Sequence, residues 1–198
     1  MPNHPPKILE CRHVADSRLF HIESLDLEFS NGEHRTFERL VNSNHHAAVM
    51  IVAVPDDEHF LLVKEYAAGF EQYLLGLPKG AVDPGENLVF AANRELKEEC
   101  GMGAHQIEPL KEISLAPNYM SHRITVMLAH DLYPEALSGD EPEPLEVIRY
   151  PWSKLDELLA RDDFHEARSI AGLYLARKFL DELQKGRSAE EQRKSYPF

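Results

Sequence analysis

The chain has 198 residues, enough for one domain with an added element. Its mixture of 43% apolar and 28% charged residues is that of a globular protein with a real core. A formal net charge of −13 excludes a general nucleic-acid binder, which needs basic surface to displace phosphate counterions. An anionic small molecule would therefore need local positive charge or a bound cation.

MPNHPPKILECRH at the start lacks the apolar segment of a secretion signal. No apolar run approaches the roughly 18 residues of a membrane span. Cys11 and Cys100 lack CxxC spacing, so a disulfide framework and a zinc site of that type are not expected, and the expected compartment is the cytoplasm. Residues 1–17, with three prolines, read as an irregular lead-in. Residues 18–41 read as an antiparallel hairpin turning at Ser30-Asn31-Gly32-Glu33. A change in the phase of alternation predicts a bulge or twist near Glu23. AAVMIVAV (47–54) is a buried strand and HFLLVKEY the next. Residues 67–87, rich in Gly and Pro, form loop with short strands. Residues 88–100 form a helix, then 124–133 and 147–152 form strands. Ser153 is placed to cap a short helix, with Asp156 three residues on. Residues 164–183 form a longer helix, followed by a polar, frayed tail. Strands and helices are mixed without strict alternation, which predicts a mixed α/β or α+β fold.

The helix of 88–100 carries the chemistry. At about 100° per residue, Val89, Ala92, Leu96 and Cys100 form an apolar stripe. Glu95, Glu98 and Glu99 gather on a neighbouring stripe, with Arg94 within reach of Glu98. Gly101 is placed to end the helix in the left-handed conformation. An acidic stripe alone is usually a solvated face. Here a loop with Gly76, Gly80 and Gly85 feeds it and delivers Glu86 at the helix start. Carboxylates without nearby Cys or His favour a hard, oxygen-ligated ion, Mg²⁺ or Mn²⁺.

GAVDPGENLVFAANRELKEECGM, from Gly80 to Met102, resembles the Nudix box. Gly80, Glu86, Arg94, Glu95, Glu98, Glu99 and Gly101 fill its seven fixed positions, and Leu96 and Met102 its two apolar ones. The resemblance implies an α/β/α sandwich around a mixed sheet, and hydrolysis of a nucleoside diphosphate linked to another group. It implies that Glu95, Glu99 and the carbonyl of Lys79 bind metal directly. Glu98 would act as a ligand and catalytic group, Arg94 would orient the glutamates, and Glu86 would brace the loop. Two or more ions are implied.

Substrate choice lies outside the box. Pro117 and Tyr119, in SLAPNYMS, resemble the family's markers for ADP-ribose and dinucleoside polyphosphate enzymes respectively. Two departures weigh against a standard ADP-ribose enzyme: Ala67 follows Tyr66 where Arg is usual, and Gly76 precedes Leu77-Pro78 where Glu is usual. Over roughly residues 15–180 the chain resembles the branch that cleaves ADP-ribose, diadenosine triphosphate and NADH with release of AMP. Tyr66 and Tyr119, or Phe20, could stack on adenine, and His45 and His46 could touch substrate. Glu141, Glu143 and Glu146 occupy a proline-held loop where relatives carry a further glutamate; Glu143 is assigned as general base and Glu146 as an extra metal ligand. The resemblance also implies a homodimer formed through an N-terminal β subdomain, residues 1–44, followed by a hydrolase domain, 45–185, and a flexible tail, 186–198. A narrow ADP-ribose pyrophosphatase is the alternative. A non-catalytic nucleotide sensor has no need of three positioned glutamates, and an isomerase would need a cysteine nucleophile that the packed Cys100 does not supply.

Overall fold

The computed structural model describes residues 4–41 and 47–194, with side chains to residue 185. His45 and His46 lie outside the described residues. The chain divides into two compact units, one of residues 1–46 with 114–123, the other of residues 47–113 with 124–198.

The first unit holds a three-stranded antiparallel sheet in the order β1-β2-β3. Its strands are β1 (Lys7–Asp16), β2 (His21–Glu28) and β3 (His34–Val41). The expected hairpin is β2–β3, closed at Asn31-Gly32 by hydrogen bonds between Phe29 and Glu33 (2.9 Å) and from the Gly32 amide to the Phe29 carbonyl (2.9 Å). The expected irregular lead-in is instead a ten-residue strand. Its side chains are all exposed, so it carries no burial pattern from which a strand could be read; it is held by backbone pairing with β2. The irregularity near Glu23 belongs to that partner: β1 shifts register between His13 and Ala15, opposite Glu23 and Ile22. The segment 114–123 meets β3 at an isolated bridge between Leu40 and Met120. The Leu40 amide donates to the Tyr119 carbonyl (2.7 Å), and the Ser121 amide to the Leu40 carbonyl (3.2 Å).

The second unit is built on β4 (Ala48–Val54), whose residues Val49 to Ala53 are fully buried. β4 runs parallel to β9 (Arg123–Pro134) and antiparallel to β7 (Lys79–Ala81) in a sheet of order β7-β4-β9-β8, with β8 spanning Met102–Ser114. A second sheet, β10-β5-β6, contains β5 (His59–Ala67), β6 (Gln72–Gly76) and β10 (Glu146–Pro151). Because strand side chains alternate, β4 feeds two cores. Val49, Ile51 and Ala53 meet Ala91, Ala92 and Leu96 of α1 (Leu88–Cys100). Met50, Val52 and Val54 share a core with Leu173 and Ala176 of α3 (Ala167–Lys194). The result is the expected sandwich with a helix on each face of a mixed sheet.

Two helix starts differ from the sequence reading. Residues Trp152–Lys154 form a 3₁₀ turn, so Ser153 lies inside it and α2 (Leu155–Leu159) begins without a side-chain cap. α3 begins at Ala167, where the Glu166 carboxylate accepts from the Ser169 amide at 2.7 Å, and it continues to Lys194, past the expected start of a frayed tail. No helix of the described residues is long and apolar enough to cross a membrane.

Candidate active site

The box helix is tightly framed at both ends. Asn87 caps it, its Oδ1 accepting from the Phe90 amide at 3.0 Å. Gly101 closes it at φ 66°, the left-handed value expected of it. The apolar stripe is shifted from the predicted one. Val89 is 41% exposed, while Leu88 and Ala91 pack with Ala92 and Leu96. The shift arises because the carboxylate stripe itself turns inward: Glu95 and Glu99 are each only 8% exposed.

Arg94 organises this inward face. Its Nε and one terminal nitrogen hold Glu86 in a fork at 3.2 and 3.0 Å. The other terminal nitrogen donates to Glu95 at 2.8 Å and Glu98 at 3.0 Å, and the fifth donor reaches the Ala81 carbonyl at 2.8 Å. All five guanidinium donors are used, a geometry that lysine cannot reproduce. Arg94 holds the Glu86 carboxyl below the ordinary range, and Glu86 in turn accepts from the Asp83 amide at 3.1 Å. One guanidinium thereby ties the loop to the helix.

Glu95 and Glu99 remain short of positive charge. Burial raises the Glu95 carboxyl, opposed by Arg94 and reinforced by Glu98 and Glu141. Burial pushes Glu99 up to about 8, opposed by Lys79 and reinforced by Glu95 and Glu65. The Lys79 amide faces Glu99 at 3.3 and 3.4 Å, so the backbone before Gly80 borders the cradle, while its ammonium pairs with Glu65 at 2.5 Å. Gly80 is there for space. A Cβ on it would lie 2.0 Å from the Glu95 carboxylate. Glu95, Glu98 and Glu99 do not converge as a set within 4.8 Å of one another, but oxygen donors with no Cys or His among them suit a hard divalent cation.

The loop glutamates diverge. Glu141 folds back over Gly139, where a Cβ would lie 2.1 Å from Glu141 Oε2 and 3.4 Å from Glu98 Cβ. Glu143 accepts a hydrogen bond from the Tyr73 hydroxyl, which that carboxylate makes less acidic. Glu146 lies in β10 opposite Lys64, with its carboxylate 3.7 Å from the ammonium. Tyr66 is the cross-strand partner of Tyr73, and the two rings meet edge-on at 5.5 Å. Pro117 and Tyr119 belong to the first unit, in the turn that pairs with Leu40. Phe20 is exposed in the same unit. Burial pushes the Cys100 thiol far above its ordinary range, which leaves it protonated and unsuited to act as a nucleophile.

Sequence reading missed several supporting groups. Glu65 and Tyr73 had no signal, because their partners lie 14 and 70 residues away. Asn93, whose Oδ1 accepts from the Ala104 amide at 2.9 Å, pins the start of β8 to the helix. The Asn87 cap was also missed, although an Asn directly before the helical pattern is a signal that could have found it.

The chain matches the NUDIX domain over residues 44–173, and the NudE-type Nudix hydrolase N-terminal domain over residues 6–39. It is 52% identical over 175 residues to the "ADP compounds hydrolase NudE" of Escherichia coli (strain K12), covering 88% of this chain and 93% of the relative. It is 27% identical over 187 residues to the "ADP-ribose pyrophosphatase" of Bacillus subtilis (strain 168), covering 90% and 100%. A crystal structure of an ADP compounds hydrolase superposes with a TM-score of 0.85 at 49% identity, covering 91% of this chain and 96% of that one. With its box complete and its fold shared, the chain belongs to the Nudix hydrolase family.

Proposed function

We propose that the chain hydrolyses the pyrophosphate linkage of ADP-containing compounds, among them ADP-ribose, diadenosine triphosphate and NADH, and releases AMP. The observation that carries this is the set of Glu95, Glu98 and Glu99 on one helix face, with Glu95 and Glu99 buried and Glu95 and Glu98 held by a guanidinium that is already saturated. The identity to an ADP compounds hydrolase supports the substrate class. Glu95, Glu98, Glu99 and the Lys79 carbonyl would hold two or more Mg²⁺ ions, with Mn²⁺ able to replace them. Bound ions neutralise pyrophosphate charge and acidify water. Arg94 keeps Glu95 and Glu98 at a fixed spacing, so little reorganisation is needed as charge develops. Among the loop glutamates, Glu141 has the best support as general base, because it lies over Gly139 beside Glu98. Glu143, held by Tyr73, supports the aromatic pair Tyr66–Tyr73 as a platform for adenine. Glu146, held near Lys64, has less support as a ligand.

We infer that Pro117 and Tyr119 select among ADP compounds. We infer that residues 1–44 form the dimerisation subdomain of a cytoplasmic homodimer and that residues 45–185 form the hydrolase domain. The exposed apolar side chains Ile8, Leu9 and Val14 on edge strand β1 support the dimer. The test is a panel of ADP-ribose, diadenosine triphosphate, NADH and ADP-glucose with Mg²⁺, reading product identity and kcat/KM. AMP from the first three supports the proposal. AMP from ADP-ribose alone favours the narrow pyrophosphatase, and tight binding without turnover overturns both.

A further inference from the structure

The first unit carries a second cluster of metal-ligating groups that the hydrolytic site does not use. On the β1–β2 hairpin, one ring nitrogen of His13, one of His21 and the carboxylate of Asp16 lie within 4.8 Å of one another. His13 Nε2 is 2.9 Å from Asp16 Oδ2, and His21 Nδ1 faces Asp16 Oδ1. The two imidazoles approach at 4.9 Å between centroids.

The arrangement depends on an irregularity in the strand. His13 and Asp16 are three residues apart, and in a regular strand that spacing sends side chains to opposite faces. The register shift between His13 and Ala15 inserts one residue, so that His13 pairs with Glu23 and Asp16 pairs with His21. His21 and Glu23 share a face, and the shift therefore brings His13 and Asp16 onto that face too. The hairpin end is fixed by its own turn. Ser17 Oγ accepts from the Phe20 amide at 2.9 Å, and the Ser17 amide donates to the Phe20 carbonyl at 2.8 Å. Asp16 and His21 are thereby held across from each other.

We propose that His13, Asp16 and His21 form a binding site for a divalent transition metal, Zn²⁺ by preference, separate in composition and chemistry from the carboxylate cradle. Two imidazoles and a carboxylate are a common ligand set for zinc, and they disfavour Mg²⁺, which takes oxygen. Zinc bonds of about 2.0–2.1 Å hold tetrahedral ligands roughly 3.3 Å apart, and ligand atoms that already lie within 4.8 Å of one another reach that spacing by small side-chain rotations. The fourth position is left to water or another ligand. Glu23 is 3.8 Å from the far nitrogen of His21 and is itself held by Arg39 at 2.7 and 2.8 Å. It is therefore committed to Arg39 and stands behind the imidazole, in the place of an orienting carboxylate. The metal would tie edge strand β1 to β2 through their side chains.

The experiment uses the full chain with saturating Mg²⁺, which occupies the oxygen-ligand cradle. Zn²⁺ binding is followed by equilibrium dialysis with elemental analysis, and geometry by the visible spectrum of the Co²⁺-substituted protein. The expected result is one retained Zn²⁺ per chain and an intense tetrahedral Co²⁺ spectrum. His13→Gln and His21→Gln should each weaken binding by at least about 10²-fold, whereas Glu98→Gln should leave it unchanged. Asp16→Asn, which keeps the shape, provides a third variant, and circular dichroism checks that each chain is folded. Zinc retention unaltered by all three hairpin substitutions, loss of zinc in Glu98→Gln, or a weak octahedral Co²⁺ spectrum would each overturn the proposal.

Discussion

Glu99 shows how burial converts a carboxylate into a cation requirement. Its folded-state value, pushed up to about 8, stands above the ordinary 4.5. Below about pH 4.5 both folded and unfolded chains are protonated there, and the group has no effect on stability. Between about pH 4.5 and about 8 the unfolded chain ionises while the folded one keeps its proton, so the metal-free fold loses stability as pH rises. Above about 8 the loss is constant. In EDTA, Glu99→Gln should therefore raise the melting temperature at about pH 9, with the difference vanishing near about pH 4. Metal binding needs the ionised carboxylate, so Mg²⁺ affinity measured by calorimetry should rise with pH and level off above about 8. The same substitution, and Glu98→Gln, should lower kcat by roughly 10²–10⁴-fold for every substrate. Near-full turnover by both variants would remove these residues from the site.

At the scale of elements, the box is a loop and a helix locked by Arg94 at one end and shaped by Gly80 and Asn87. Gly80→Ala puts a methyl 2.0 Å from the present Glu95 carboxylate. Since a side-chain tip can move where backbone cannot, the fold should survive while Mg²⁺ affinity falls at least about 10-fold by calorimetry. Asn87→Ala removes only the cap and should cost about 1 kcal/mol in urea unfolding, with kcat nearly unchanged. These two substitutions, seven residues apart, separate the cradle's geometry from the helix's stability. Elements were read from sequence where burial imprinted a pattern. β4, with both faces buried, was legible as an apolar run, and α1 from its helical spacing and closing glycine. β1 was not legible, because none of its side chains is buried and its partner is chosen by backbone pairing. The start of α2 failed because a 3₁₀ turn from Trp152 absorbed the candidate cap Ser153.

For the whole molecule, the division into two units sorts residues by expected effect. The carboxylate cradle belongs to the second unit, and Pro117 and Tyr119 to the first. Substitutions in the cradle should depress kcat for all substrates alike. Pro117→Ala and Tyr119→Ala should instead raise KM and change the ranking among ADP-ribose, NADH and diadenosine triphosphate, as read by kcat/KM on each. Uniform loss across the panel in those two variants would mean that the turn at 117–119 serves structure only.

The sequence by itself determined the catalytic family and the seven box positions, because metal and phosphate chemistry demands given residue types at given spacings along one loop and helix. It also determined the strands and helices whose side chains enter a core. Only the tertiary structure decided that Glu95 and Glu99 are buried, that Glu141 rather than Glu143 folds back beside Glu98, and that a bulge aligns His13 with Asp16 and His21. Burial, the contact of distant segments and a one-residue shift of register depend on how strands pair, and a local pattern of residue types does not record that pairing.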